Sequence, residues 1–146
     1  ARVPGRLEVI QPSPLLILDG AHNPDKMAAL TTAIQTIYPH RRVTGVLAFK
    51  HGHDVPSTIR QVAPILHRAV ATTFEVMTDY GRGQARRPAD VGSILVDSGV
   101  GSVEVEESPI RAVERALETT SPDDIVVVTG SLYLVGVIRG WVRGRL

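Results

Sequence analysis

The sequence predicts an α/β domain of three layers, with helices over both faces of a mostly parallel sheet of about six strands. Short, continuous apolar runs such as Leu15-Leu16-Ile17-Leu18 and Ile125-Val126-Val127-Val128 are bounded by breakers and read as strands buried on both faces. Segments with helical spacing separate them, as with Met27, Leu30, Ile34 and Ile37. At 146 residues and 43% hydrophobic, the chain is long and apolar enough for one domain with its own core.

The elements follow in order. Leu7-Glu8-Val9-Ile10 alternates and reads as a first strand or edge hairpin arm. Gln11-Pro12-Ser13-Pro14 reads as a turn, because prolines so close together oppose helix and ladder alike. Leu15 to Leu18 is the next strand, and Asn23-Pro24 opens a helix as cap and first residue. Tyr38-Pro39-His40 ends that helix, and Arg42 to Phe49 reads as a strand leading into the loop Lys50-His51-Gly52-His53. Asp54 caps a helix expected to reach Leu66, with Val55, Ile59, Val62 and Leu66 on one face. Ala69 to Thr73 is a strand, and Thr78 to Arg87 a polar, glycine-rich loop. Pro88 to Asp97 is a helix, Ser102 to Val105 a short strand, and Ser108-Pro109 starts a helix carrying Ile110, Val113, Ala116 and Leu117. Asp124 to Thr129 is the clearest buried strand, and Gly130-Ser131 turns it into a last helix, Leu132 to Val142.

Composition excludes several classes. Sixteen basic and fifteen acidic residues give a net charge of +1, so there is no electrostatic case for a nucleic-acid partner. The clusters Arg82, Arg86, Arg87 and Arg139, Arg143, Arg145 read as solvated faces. With no cysteine, disulfides and thiolate metal sites are excluded and a cytoplasmic location is expected. No apolar run approaches the length of a membrane span, so no membrane partner is expected. The chain begins at Ala1, and Arg2-Val3-Pro4-Gly5-Arg6 reads as the exit of a linker, the mark of a piece cut from something longer.

The carboxyl ends of parallel strands share one edge, the usual ligand rim of an open α/β sheet. On that rim the sequence places Asp19, His22 and Asn23 after the second strand, Lys50 after the third, and Thr129, Gly130 and Ser131 after the last. Each has an ordinary structural role available: turn cap for Asp19, N-cap for Asn23, helix start for Ser131, solvated end for Lys50. Their convergence on one edge favours function, because unrelated placements would scatter over both edges. His51, His53 and Asp54 lack the spacing of a binuclear metal site and read as a loop plus cap. There is no G-x-x-x-x-G-K-[ST] loop, no G-x-S-x-G elbow, and no dinucleotide fingerprint at Gly81-Arg82-Gly83. The layering is Rossmann-like without Rossmann cofactor chemistry, which sets a small oxidoreductase aside.

Pro4-Gly5-Arg6-Leu7-Glu8, Leu18-Asp19-Gly20-Ala21-His22-Asn23-Pro24 and Thr129-Gly130-Ser131-Leu132-Tyr133-Leu134-Val135-Gly136 resemble, in this order, signatures of the folylpolyglutamate synthase and dihydrofolate synthase family. Val46-Leu47-Ala48-Phe49-Lys50 resembles that family's central strand. The resemblance covers nearly the whole chain and only the family's C-terminal domain, which the Mur ligases share. Residues 1–146 are thus expected to form a Mur ligase-type C-terminal, glutamate ligase domain without the P-loop ATPase domain. Two positions depart from the pattern: His51 follows Lys50 where an acid is frequent, and Val137 stands where Glu is usual.

The resemblance implies an ATP-dependent amide ligase. ATP with Mg, bound mainly by a P-loop domain N-terminal to this one, phosphorylates a carboxylate of folate or dihydropteroate, and the amine of L-glutamate attacks the acyl phosphate. Arg6 would neutralise nucleotide phosphate and Asp19 would hydrogen-bond the ribose or nucleotide. His22 and Ser131 would orient the glutamate and reacting groups, and Asn23 and Lys50 are candidate substrate contacts. The isolated chain is expected to be inactive, and His22→Ala or Asp19→Ala in the whole enzyme is expected to lower turnover with folding intact. Two alternatives stay open: a Mur-type ligase of peptidoglycan precursors, and a non-catalytic binding module of the same fold.

Overall fold

The computed structural model describes residues 5–78, 81–83 and 85–144. The linker reading of residues 1–4 lies outside the described residues, as do Arg145 and the side chain of Arg82.

Six strands form one sheet in the order β1-β2-β8-β3-β4-β7: β1 (Glu8–Pro12), β2 (Leu15–Asp19), β8 (Ile125–Thr129), β3 (Val43–Leu47), β4 (Leu66–Ala71) and β7 (Val103–Val105). All neighbours run parallel except β1, which lies antiparallel on β2. Strand pleating sends successive side chains to opposite faces. Leu15, Ile17, Val43, Leu47, Ile125 and Val127 therefore meet α1 (Pro24–Ile37), α2 (Val55–Val62) and α3 (Pro88–Asp97) on one face. Leu16, Leu18, Val46, Val126 and Val128 meet α4 (Pro109–Glu118) and α5 (Leu132–Gly144) on the other. The three layers and the mostly parallel six-stranded sheet are those expected from the sequence.

Side chains cap the starts of α1, α2 and α4. Asn23 Oδ1 accepts from the Lys26 amide at 2.9 Å, Asp54 Oδ1 from Ser57 at 3.2 Å, and Ser108 Oγ from Arg111 at 3.2 Å.

Three local expectations change. The first ladder runs through Gln11 and Pro12, with a register shift between Val9 and Gln11. Proline is tolerated there because β1 is an edge strand and its missing N–H removes no needed bond. Leu66 does not continue α2; Pro64 sits in a 3₁₀ turn, Ala63–Ile65, and Leu66 opens β4. Within the expected loop Thr78 to Arg87, Gly81–Gly83 forms β6, which pairs antiparallel with β5 (Val76–Thr78); residues 79, 80 and 84 lie outside the described residues.

The topology places a crevice at one point. The helices that follow β2 and β3 cover one face, and the helix that follows β8, between them, covers the other. The chain therefore leaves for opposite faces on either side of β8, the arrangement that opens a ligand crevice in doubly wound sheets.

Candidate functional site

Three strand-end loops meet at Gly130. Its amide donates to the Ala21 carbonyl at 3.0 Å, joining the loop after β8 to the loop after β2. The Ala48 amide donates to the Thr129 carbonyl at 3.4 Å, joining the segment after β3. Gly130 has φ +105, and a Cβ there would collide with the Ala48 carbonyl oxygen. Only glycine permits both the conformation and the approach. His22 and Ser131, each one residue beyond this junction, thus stand on one rim.

Asp19 holds this rim from beneath. Only 9% exposed, it accepts from the Ala21 amide at 2.9 Å on Oδ1 and from the Leu7 amide at 3.0 Å on Oδ2. Burial pushes its carboxyl above the usual aspartate value, while those two amides and the charges of Arg6 and Lys26 act the other way. Asp19→Ala would leave the buried Ala21 amide and the part-buried Leu7 amide without their acceptor, so a loss of stability is expected alongside any loss of turnover.

Ser131 is 4% exposed, and its Oγ accepts from the Tyr133 amide at 3.0 Å, capping α5. Its carbonyl accepts from Val135 at 3.1 Å, the first helical bond. Asn23, likewise a cap, uses one oxygen for α1.

His22 is half-buried, with Nδ1 3.0 Å from the Gly20 carbonyl oxygen. A carbonyl can only accept, so that bond puts a proton on Nδ1, and in the neutral ring the lone pair is then on Nε2. The ring faces His53, with centroids 5.3 Å apart and planes tilted by 55°. Burial lowers the His53 pKa, reinforced by His22 and Lys50. The proximity of His53 to His22 had no local signal in the sequence, because the two lie in different loops, after β3 and after β2. Lys50 is exposed, its Nζ 5.8 Å from the Tyr133 ring centroid, and Tyr133 stacks on Phe74. Lys50 thus lies on the β3 side of β8.

Arg6 is exposed and lines a cleft of about 600 Å³ together with Asp19, His22, Asp25, Lys26 and Leu132. Arg6 and Lys26 supply the cleft with cations that suit an anion, against the carboxyls of Asp19 and Asp25. A second cavity, about 530 Å³, lies across the rim against His51, Ala85, Arg87 and Asp90. Among the described residues, no three His, Cys, Asp or Glu side chains group to hold a metal ion. None of their helices is long and apolar enough to cross a membrane.

The structure therefore brings Arg6, Asp19, His22, Asn23 and Ser131 to the loops beside β2 and β8, with Lys50 on the flank. The last basic cluster departs from its expectation. Arg139 is not a solvated charge; its guanidinium grips Glu8, with Nη2 at 2.7 Å from Oε1 and Nε at 3.2 Å from both carboxylate oxygens. A partner 131 residues away leaves no local signal in the sequence.

The family model described as "Mur ligase, glutamate ligase domain" matches residues 5–132. The chain is 31% identical over 144 residues to the probable bifunctional folylpolyglutamate synthase/dihydropteroate synthase of Haloferax volcanii, covering 98% of this chain and 16% of that protein. It is 32% identical over 143 residues to the folylpolyglutamate synthase of Lacticaseibacillus casei, covering 97% of this chain and 30% of that one. Among solved structures, E. coli FolC in complex with DHPP and ADP superposes with a TM-score of 0.84 at 22% identity, over 98% of this chain and 32% of that chain. The chain thus spans at most about a third of the proteins it matches here.

Proposed function

The chain belongs to the Mur ligase, glutamate ligase domain family, and from that premise we propose that residues 1–146 form the C-terminal domain of an ATP-dependent ligase that joins glutamate to a folate-type acceptor. The observation that supports this best is the meeting of the loops after β2, β8 and β3 at Gly130, beside a cleft that His22, Leu132 at the α5 start and Arg6 line together. In this reading ATP, when bound, turns a carboxylate into an acyl phosphate with a good leaving group.

The chain's own residues do the rest. Arg6, with Lys26 behind it, neutralises phosphate charge, as a guanidinium fork suits. Asp19 holds the loops that present these groups and offers its remaining lone pairs to the nucleotide. His22 Nε2 accepts a hydrogen bond, and then a proton, from the attacking amine. Ser131 keeps the α5 amides directed at the reacting groups, while Asn23 and Lys50 border the acceptor. By the same reading Mg is bound mainly by a P-loop domain of the whole enzyme, which works in the cytoplasm.

The open reading frame that encodes this chain tests the proposal. A P-loop domain is expected upstream of Ala1, and its full product is expected to add glutamate to folate or dihydropteroate with ATP. Product with UDP-muramyl peptides instead would assign the chain to cell-wall synthesis. A frame without a P-loop domain would leave a binding module. In the active product, His22→Ala is expected to lower turnover by more than about tenfold with Tm unchanged; unaltered steady-state kinetics would remove the imidazole from the reaction.

A further inference from the structure

We infer that Glu8 and Arg139 are positioning residues that set Arg6 over the cleft by clamping the arch of residues 5–8 to α5. Arg6 itself has an exposed side chain, and its direction is decided by the backbone on either side. Both neighbours are left-handed, Gly5 at φ +79 and Leu7 at φ +45. For leucine that region is strained, so the arch persists only where surrounding bonds over-determine it.

Four contacts do so. The Gly5 carbonyl accepts from the Gly20 amide at 2.6 Å, tying the arch to the loop after β2. The Leu7 amide donates to Asp19 at 3.0 Å. The Gly5 amide donates to Glu8 Oε1 at 3.0 Å, closing the arch on itself. The same Oε1 receives the Arg139 guanidinium at 2.7 Å. Glu8 thus carries two tasks on one carboxylate, and Arg139 hydrogen-bonds that carboxylate to α5. The pair is largely buried, with side-chain exposures of 17% for Glu8 and 20% for Arg139. The clamp is geometry; its service to phosphate binding rests on the ligase reading.

Amide hydrogen exchange and ADP titration by NMR on this chain test both parts. Arg139→Met and Arg139→Lys have unbranched stems of similar length and differ in charge, so their contrast isolates the ion pair from packing. Arg139→Met and Glu8→Ala are expected to speed exchange at Gly5, Leu7 and Gly20 by about tenfold or more, with Val127 in β8 unchanged. Arg139→Lys is expected to recover much of that protection. ADP is expected to move the Arg6 resonances of the wild type and to bind about tenfold more weakly to Arg139→Met. Equal exchange at the three amides in all variants, acceleration shared with Val127, or Lys and Met behaving alike would overturn the clamp. Equal ADP affinity with a loosened arch would overturn the positioning role. If ADP leaves wild-type Arg6 unmoved, the phosphate role given to Arg6 in the ligase reading fails, and the exchange rates still decide the clamp.

Discussion

The loops leaving β2 and β8 look alike, Asp19-Gly20-Ala21-His22 beside Thr129-Gly130-Ser131-Leu132, yet they are held in different ways. The β8 loop is fixed by main chain: Gly130 is left-handed, bonded to Ala21 and pressed on the Ala48 carbonyl. The β2 loop adds side chains to its main-chain bonds at Gly20 and Ala21: Asp19 takes two amides, and Leu132 fills the space beside Gly20 and Gly5. The first arrangement gives the rim a rigid centre. The second makes the position of Arg6 depend on groups that can be titrated or substituted.

Adding one methyl to each glycine draws the sharpest contrast. Gly130→Ala imposes a left-handed alanine and drives Cβ into a backbone oxygen that cannot turn aside, so a loss of more than about 3 kcal/mol is expected in urea unfolding. Gly20→Ala would meet the Leu132 side chain, which is 59% exposed and can rotate outward, so the loss is expected to be below about 1 kcal/mol. Equal losses would end the distinction between the two loops.

Removing one polar side chain from each loop continues it. Asp19→Ala leaves the part-buried Leu7 amide and the buried Ala21 amide without that acceptor, a loss of about 2–4 kcal/mol. Ser131→Ala removes only a cap on the Tyr133 amide, about 1 kcal/mol. Thermal unfolding of the two variants should keep that order; a larger loss at Ser131 would mean that the β8 loop too depends on its side chains.

The difference also explains what the sequence disclosed. Strands β2, β3 and β8 were legible because a strand covered by helices on both faces needs unbroken apolar residues. Helix starts were legible because Asn23, Asp54 and Ser108 act within three residues of themselves. The shared rim followed from the rule that parallel strands end together. What stayed hidden is non-local. Nothing near Glu8 announces Arg139, nothing near His22 announces His53, and no pattern marks Leu7 as left-handed. Leu66 misled because helical spacing continued past Pro64 by coincidence, and Pro12 because an edge strand tolerates what a central one forbids.

The smallest effect separates the two carboxylates that grip the same arch. Arg139 holds the Glu8 carboxyl below its usual 4.5, whereas burial raises Asp19 above its usual 3.8. A depressed pKa means that the unfolded chain binds the proton more readily. Glu8 therefore contributes stability that is complete above 4.5 and lost as pH falls through its folded value. Asp19 has the opposite sign, because its charged form is the costly one in the fold. Its favourable contribution is complete below 3.8 and lost as pH rises through its raised value. Urea unfolding of the wild type, Glu8→Gln and Asp19→Asn between neutral pH and about pH 3 reads the two slopes separately. The advantage of the wild type over Glu8→Gln should shrink with acid, while its advantage over Asp19→Asn should not shrink for the same reason. Parallel slopes would mean that both carboxylates are held chiefly by charge, and the division between a titratable arch and a main-chain centre would then need another cause.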